Sequence, residues 1–227
     1  MAPARKVVAG RTRAGARRRL WQTDPLPSEA RVRTHRPHRL IPFQDGHLPT
    51  WPEDAAIDLF HTQPTIGAIA FSDSARYLPA LLATLEAAAA DRGRLEPIAG
   101  GAFVLDEVLA WDDEALNVVD TRAWKLVTSM LGVNARTEQA QAIMVPPQRE
   151  LPLRPHGAGT ASVVMLVRGD GLELRHHTLH MDPVTPPKRF AEGGMLAHPS
   201  TMRPCVTENT GDAPVWLLSW DYQRSAA

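Results

Sequence analysis

Five of the nine histidines lie beyond residue 150: His156, His176, His177, His180 and His198. A neutral imidazole offers a nitrogen lone pair. Histidines that converge beside a carboxylate are therefore the residue types that hold Fe(II), Zn(II) or Cu(II). His180-Met181-Asp182 sets an imidazole and a carboxylate two residues apart, on the same side of an extended chain. His156 stands in HGAG, with Ala158 two residues on, and His198 ends the run GGMLAH. On one strand His176, Thr178 and His180 share a face while His177 opposes them. A site joining His176 or His180 to His156 or His198 is thus geometrically conceivable, although such histidines are more commonly solvated or hydrogen-bonded polar groups. The candidate metal ligands are His156, His198 and His180. Arg203 is a poor ligand because a guanidinium stays protonated; its candidate role is to clamp the carboxylate of a cofactor.

Other catalytic patterns are missing. HGAG is too short and wrongly placed for a dinucleotide loop, and no Gly-x-Ser-x-Gly occurs. Cys205 lacks an evident His or Asn partner and reads as a buried strand residue. WDDEAL (111–116) reads as a helix start, its carboxylates favourable at the positive end, in preference to an acid–base pair.

These residues must be positioned by the elements around them. TIGAIAF (65–71) reads as a first strand. SDSARYLPALLATLEAAAADRG follows as a helix, capped by Ser72, Asp73 or Ser74, with Leu78, Leu81, Leu82 and Leu85 on one face and Gly93 as its stop. A second helix fits DEALNVVDTRAWKLVTSMLG, with Leu116, Val119, Ala123, Trp124, Val127 and Met130 at helical spacing and Gly132 beyond its end. After Ala135 the period becomes two. AQAIMV, TASVVMLV, LELRHHTLHM, GGMLAH, CVTEN and VWLLSW are six strand candidates, with hairpin-type connections at RGDG and TGDAP. Two helices before a run of antiparallel strands predict an α+β layout, a jelly roll or sandwich backed by helices.

The 227 residues carry 25 basic and 25 acidic side chains, but unevenly. Residues 1–40 hold eleven Lys and Arg against Asp24 and Glu29, leaving a body with a net charge of −9. Arg11, Arg13, Arg17, Arg18 and Arg19 are the candidate partner contacts, either to an acidic protein assembly or to the chain's own body. Nucleic acid is a further option, though Trp21 stands alone and no aromatic interleaving marks a base-stacking groove. The other expectation for such a stretch is a disordered, solubilising tail. From Ala30 to Thr65 the chain is rich in Pro and His and reads as extended wrapping chain, its apolar Leu40, Ile41, Phe43, Leu48 and Trp51 lying on a surface. The expected division is an arm over 1–65 and a folded domain over 66–227. One cysteine excludes an intrachain disulfide, and no apolar run is long enough to span a bilayer. With no apolar segment after the basic start, a cytoplasmic protein, or one assembled into an intracellular particle, is expected.

The closing segment PSTMRPCVTENTGDAPVWLLSW (199–220) resembles the end of the double-stranded β-helix in bacterial Fe(II)/2-oxoglutarate oxygenases. Pro199, Ser200, Val206, Asn209, Gly211, Asp212, Pro214, Ser219 and Trp220 match, and RPHGAGTASVVMLVRGDGLEL is similar to the family's first-ligand region. The resemblance covers roughly residues 66–222 and implies a jelly roll backed by two or three helices, with the basic arm in front. It also implies positions for the family's chemistry, in which two His and one carboxylate hold Fe(II) and an Arg pairs with 2-oxoglutarate. Carried over, His156 takes the first ligand position, Ala158 the carboxylate position, Pro204 the second His position and Val215 the Arg position. The 48 residues between 156 and 204 suit that pattern, whereas the 16 between Asp182 and His198 do not.

The resulting expectation is a non-catalytic, oxygenase-like jelly roll. It would need no cofactor and would serve as a structural or interaction subunit of a larger, phage-like or multi-subunit assembly, docked through its arm. The alternative is an atypical Fe(II)/2-oxoglutarate-dependent hydroxylase or halogenase acting on a small molecule. The halogenases of the family replace the carboxylate by a small residue, as at Ala158, and the alternative recruits His198 or His180 to the metal.

Overall fold

Alternation along the C-terminal strands decides the architecture. In the strand Ala161–Arg168, Val163, Met165 and Val167 enter one apolar cluster while Val164 and Leu166 enter another. Successive strand side chains project to opposite faces, so a strand apolar at every position needs a cover on both sides. The computed structural model describes residues 29–32, 40–60, 65–91, 94–131, 135–152, 159–176 and 191–224.

The strands are β1 (Glu29–Val32), β2 (Leu40–Phe43), β3 (Gly46–Pro49), β4 (Ile57–Phe60), β5 (Ile66–Ile69), β6 (Glu96–Pro97) and β7 (Phe103–Leu105). They continue with β8 (Ala135–Val145), β9 (Ala161–Arg168), β10 (Leu172–His176), β11 (Met195–Pro199), β12 (Met202–Val206) and β13 (Val215–Arg224). Nine form one antiparallel sheet in the order β1-β4-β5-β11-β9-β13-β8-β7-β6, while β10 and β12 pair opposite it. From β9 onward the chain alternates between the two sheets, which is the winding of a jelly roll. Inside lies an apolar layer of Ile143, Val164, Leu166, Leu172, Leu174, Leu196, Val206 and Leu217.

The outer face of the large sheet presents Val163, Met165, Trp216, Leu218 and Trp220, and two helices cover it. They are α1 (Leu78–Ala90) and α2 (Glu114–Leu131). Leu126, Val127 and Met130 of α2 are fully buried, and each contributes about 1.5–3 kcal/mol through burial. Gly67 in β5 permits the close approach, since a Cβ there would stand 2.6 Å from the Met130 sulfur. Asp113 starts α2 by accepting the Leu116 amide at 2.8 Å and the Thr84 hydroxyl of α1 at 2.6 Å, as expected for a helix start.

Several local expectations are revised. α1 begins after a 3₁₀ turn at Ser74–Arg76 and has no side-chain cap. Asp73 is engaged elsewhere, taking a bidentate pair from Arg122 of α2 at 2.8 and 2.7 Å. Trp124 leaves the apolar face of α2, being 39% exposed, and its indole N–H donates to the Ala135 carbonyl. The strand read at CVTEN lies three residues earlier, because Asn209 is taken up by a turn. Gly93, Gly132 and the far end of LELRHHTLHM, beyond His176, lie outside the described residues.

Residues 40–60 of the Pro- and His-rich stretch are folded with the barrel. Leu48 and Trp51 are buried in the same cluster as the helices, and β4 pairs with β5, so the division expected at 65/66 falls between two partnered strands of one sheet. The fully buried guanidinium of Arg122 secures this wrap. It donates to the Pro49 carbonyl at 2.9 Å and lies over the Phe71 and Tyr77 rings at 4.5 and 5.0 Å. Residues 1–28, which hold the arginine-rich start, lie outside the described residues. Among those described, no helix is long and apolar enough to cross a membrane.

Candidate functional site

One end of the inner face is polar. Period two carries the inward side of β9 from Leu166 and Val164 to Ser162, that of β11 from Leu196 to His198, and that of β13 from Leu217 and Ser219 to Asp221. Register then aligns them, with His198 opposite Ser162 and Asp221 opposite Ser162 on the other side. Arg203 joins from β12 in the facing sheet. All four are buried.

The wiring of this group limits its chemistry. The Ser162 hydroxyl donates to Asp221 Oδ1, and Arg203 Nη1 donates to the same carboxylate at 2.9 and 3.3 Å. His198 Nδ1 sits 3.0 Å from the Pro199 carbonyl, which requires that nitrogen to carry the proton. Nε2 is therefore the bare acceptor, and it has no partner. The Arg203 Nε–H is likewise unpartnered. Burial, aided by the nearby Arg203 charge, pulls the His198 pKa down to about 4, so the ring is neutral at ordinary pH. Serine, histidine and aspartate stand side by side without forming a nucleophile relay. The Ser162 hydroxyl donates its hydrogen bond to the carboxylate, and the imidazole's own N–H is spent on backbone.

The residues singled out from sequence separate as follows. His198 and Arg203 come together in this cluster, with the Arg203 charge directed at Asp221 and not toward a free carboxylate site. His176 lies on β10 in register with Met202. His156, Ala158, His180 and Asp182, together with Arg11, Arg13, Arg17, Arg18 and Arg19, lie outside the described residues. Cys205 is buried on β12, and burial pushes its thiol up to about 11, as suits an inert strand residue. Asp221 and Ser162 were not anticipated. Their signal was a polar residue at inward parity, at the end of a face that begins apolar in each strand.

Two of the positions that the resemblance assigned to iron and 2-oxoglutarate, Pro204 and Val215, are occupied by packing. Val215 is in the inner apolar layer opposite Val145, at 1% exposure, and a Cβ on Gly169 would stand 2.7 Å from its Cγ2. Pro204 is buried on β12 opposite Leu174 and has no side-chain nitrogen to offer. Among the described residues no group of three His, Cys, Asp or Glu could hold a metal ion. Pro204 and Val215 do not fit the iron and co-substrate pair. The turn motif of the resemblance is kept for structure. Asn209 donates to the Val145 and Ala213 carbonyls, both at 2.9 Å, and accepts the Gly211 amide at 3.1 Å.

No family model matches the chain, and no curated protein matches it. Solved structures do. The non-heme alpha-ketoglutarate-dependent epimerase SnoN from nogalamycin biosynthesis is 16% identical, with a TM-score of 0.57, over 70% of this chain and 77% of that one. The carbocyclase SnoK from the same biosynthesis is 14% identical, TM-score 0.55, over 70% and 79%. A Pseudomonas putida prolyl-4-hydroxylase is 16% identical, TM-score 0.53, over 71% and 93%. At these identities the likeness is one of fold, and it bears out the jelly roll that the closing segment resembles.

Proposed function

We propose that this chain uses an oxygenase-type barrel without iron and 2-oxoglutarate chemistry, as a binding subunit that docks onto a larger assembly. The observation that carries the reading is the inner layer at Val215 and Pro204. Apolar packing there takes the place of a cofactor cation and a ligand imidazole, while the nearby Arg203 is neutralised by Asp221. A 2-oxoglutarate carboxylate at Val215 would be desolvated with no compensating charge, at a cost of several kcal/mol. Support for the docking half is the charge asymmetry, with Arg11, Arg13, Arg17, Arg18 and Arg19 preceding an acidic body. Removing residues 1–28 should release an acidic partner and leave the melting temperature unchanged. Binding that is flat with salt would speak against an electrostatic contact, and capture of nucleic acid in place of protein would redirect the reading.

A second reading is an atypical oxygenase. It is favoured by the likeness of fold and by the bare His198 Nε2, which would have to be joined by His156 or His180. Anaerobic Fe(II) loading followed by metal analysis, together with succinate release from 2-oxoglutarate, separates the two. Binding without this chemistry gives sub-stoichiometric iron and no succinate. Stoichiometric iron lost in His156→Ala, or succinate above the protein-free control, establishes the oxygenase and ends the first reading.

A further inference from the structure

The polar end of the barrel contains two unanswered groups on one charge-neutral frame. Arg203 and Asp221 cancel, the His198 ring is neutral, and Ser162 is spent on Asp221. Among the described residues of this cluster, one acceptor, His198 Nε2, and one donor, the Arg203 Nε–H, are without partners, on residues at least 96% buried. Buried polar groups are almost always satisfied, so an unmatched pair of opposite sense calls for a partner of its own. An anion is disfavoured, because the Arg203 charge is already paired with Asp221 and a carboxylate has no proton to give Nε2. A cation is disfavoured by Arg203. A neutral group that donates one hydrogen bond and accepts another suits both.

We propose that His198 and Arg203 form a receptor for the hydroxyl of a small neutral molecule, its O–H donating to His198 Nε2 and its oxygen accepting from the Arg203 Nε–H. Ser162 and Asp221 act as positioning residues that hold the guanidinium in place. The assignment rests on the reading of the barrel as a binding module free of iron chemistry. In that frame it names the ligand class the barrel takes.

The test uses the full chain, labelled with ¹⁵N-histidine and kept in EDTA, with the His198 ring nitrogens followed by long-range ¹H–¹⁵N correlation. Methanol and ethylene glycol are the hydroxyl probes, and formate and acetate are the anionic controls. The expected result is a saturable upfield shift of His198 Nε2 with the alcohols and none with the anions. Arg203→Lys keeps a cation for Asp221 but removes the Nε–H. It should raise the midpoint concentration about tenfold, in keeping with loss of one charge-assisted hydrogen bond. No saturable alcohol shift, as with a fixed water only, overturns the proposal, as does a shift produced by the anions alone or an unchanged midpoint in Arg203→Lys. Succinate formation by the iron-loaded protein would overturn the binding-module reading instead. A failure of either statement is therefore visible by itself.

Discussion

Arg203→Met tests whether the ion pair between the two sheets holds the polar end of the barrel together. Arg203 is 4% exposed and Asp221 8%, and the guanidinium meets both carboxylate oxygens, at 2.9 and 3.3 Å. Removing the cation leaves a buried carboxylate with the Ser162 hydroxyl as its remaining described partner. Breaking a buried pair on one side costs about 3–5 kcal/mol, which for a domain of this size lowers the melting temperature by roughly 6–20 °C. Asp221→Leu leaves the charge on Arg203 and should cost about as much. The double variant Arg203→Met/Asp221→Leu removes both charges and replaces them with apolar volume. Its main loss is the orphaned Ser162 hydroxyl, about 1–3 kcal/mol. The two changes should therefore be strongly non-additive, the double variant being more stable than either single one. Urea unfolding at pH 7.5, read as the midpoint at constant m, measures all three. A double variant that loses the sum of the single losses, or an Arg203→Met loss below about 1 kcal/mol, would refute the idea that a desolvated charge pair links the sheets.

His198 makes stability depend on pH. Its folded pKa of about 4 lies below the usual value of 6.5, so between these the unfolded chain binds more protons. The contribution, on the order of 3 kcal/mol, is present above pH 6.5 and lost as pH falls toward 4. His198→Gln should flatten that part of the curve in urea titrations at pH 7.5 and 4.5; an unchanged slope would show that the ring is not held neutral. Arg122→Leu strands the Asp73 carboxylate and the Pro49 carbonyl, and a loss of about 3–5 kcal/mol with new proteolytic cleavage between residues 40 and 60 is expected. Gly67→Ala drives a Cβ to within 2.6 Å of the Met130 sulfur and should cost about 1–3 kcal/mol, and the double variant with Met130→Ala should lose less than the sum of the two single losses.

What the sequence determined by itself was local. The 3.6 and 2.0 periods placed both helices and the order of the barrel strands, because amphipathic spacing reports which side of an element is covered. The Asn209–Asp212 motif marked the closing turn, and the resemblance it carries implies ligand and cation positions at Ala158, Pro204 and Val215, whose side chains have no such chemistry. The covering of the arm was not legible. Pro and Gly density around residues 40–56 signals irregular chain but not what it lies against, and only tertiary packing brought Arg122 beneath the wrap to meet Pro49 and Asp73. The polar site was equally out of reach. His198, Ser162, Arg203 and Asp221 are separated by up to 59 residues and lie on four strands; strand register aligns the first two with Asp221, and the packing of the facing sheet brings Arg203 to them. Parity along one strand can be read from its own residues. Which strand becomes its neighbour is settled by the whole chain folding at once.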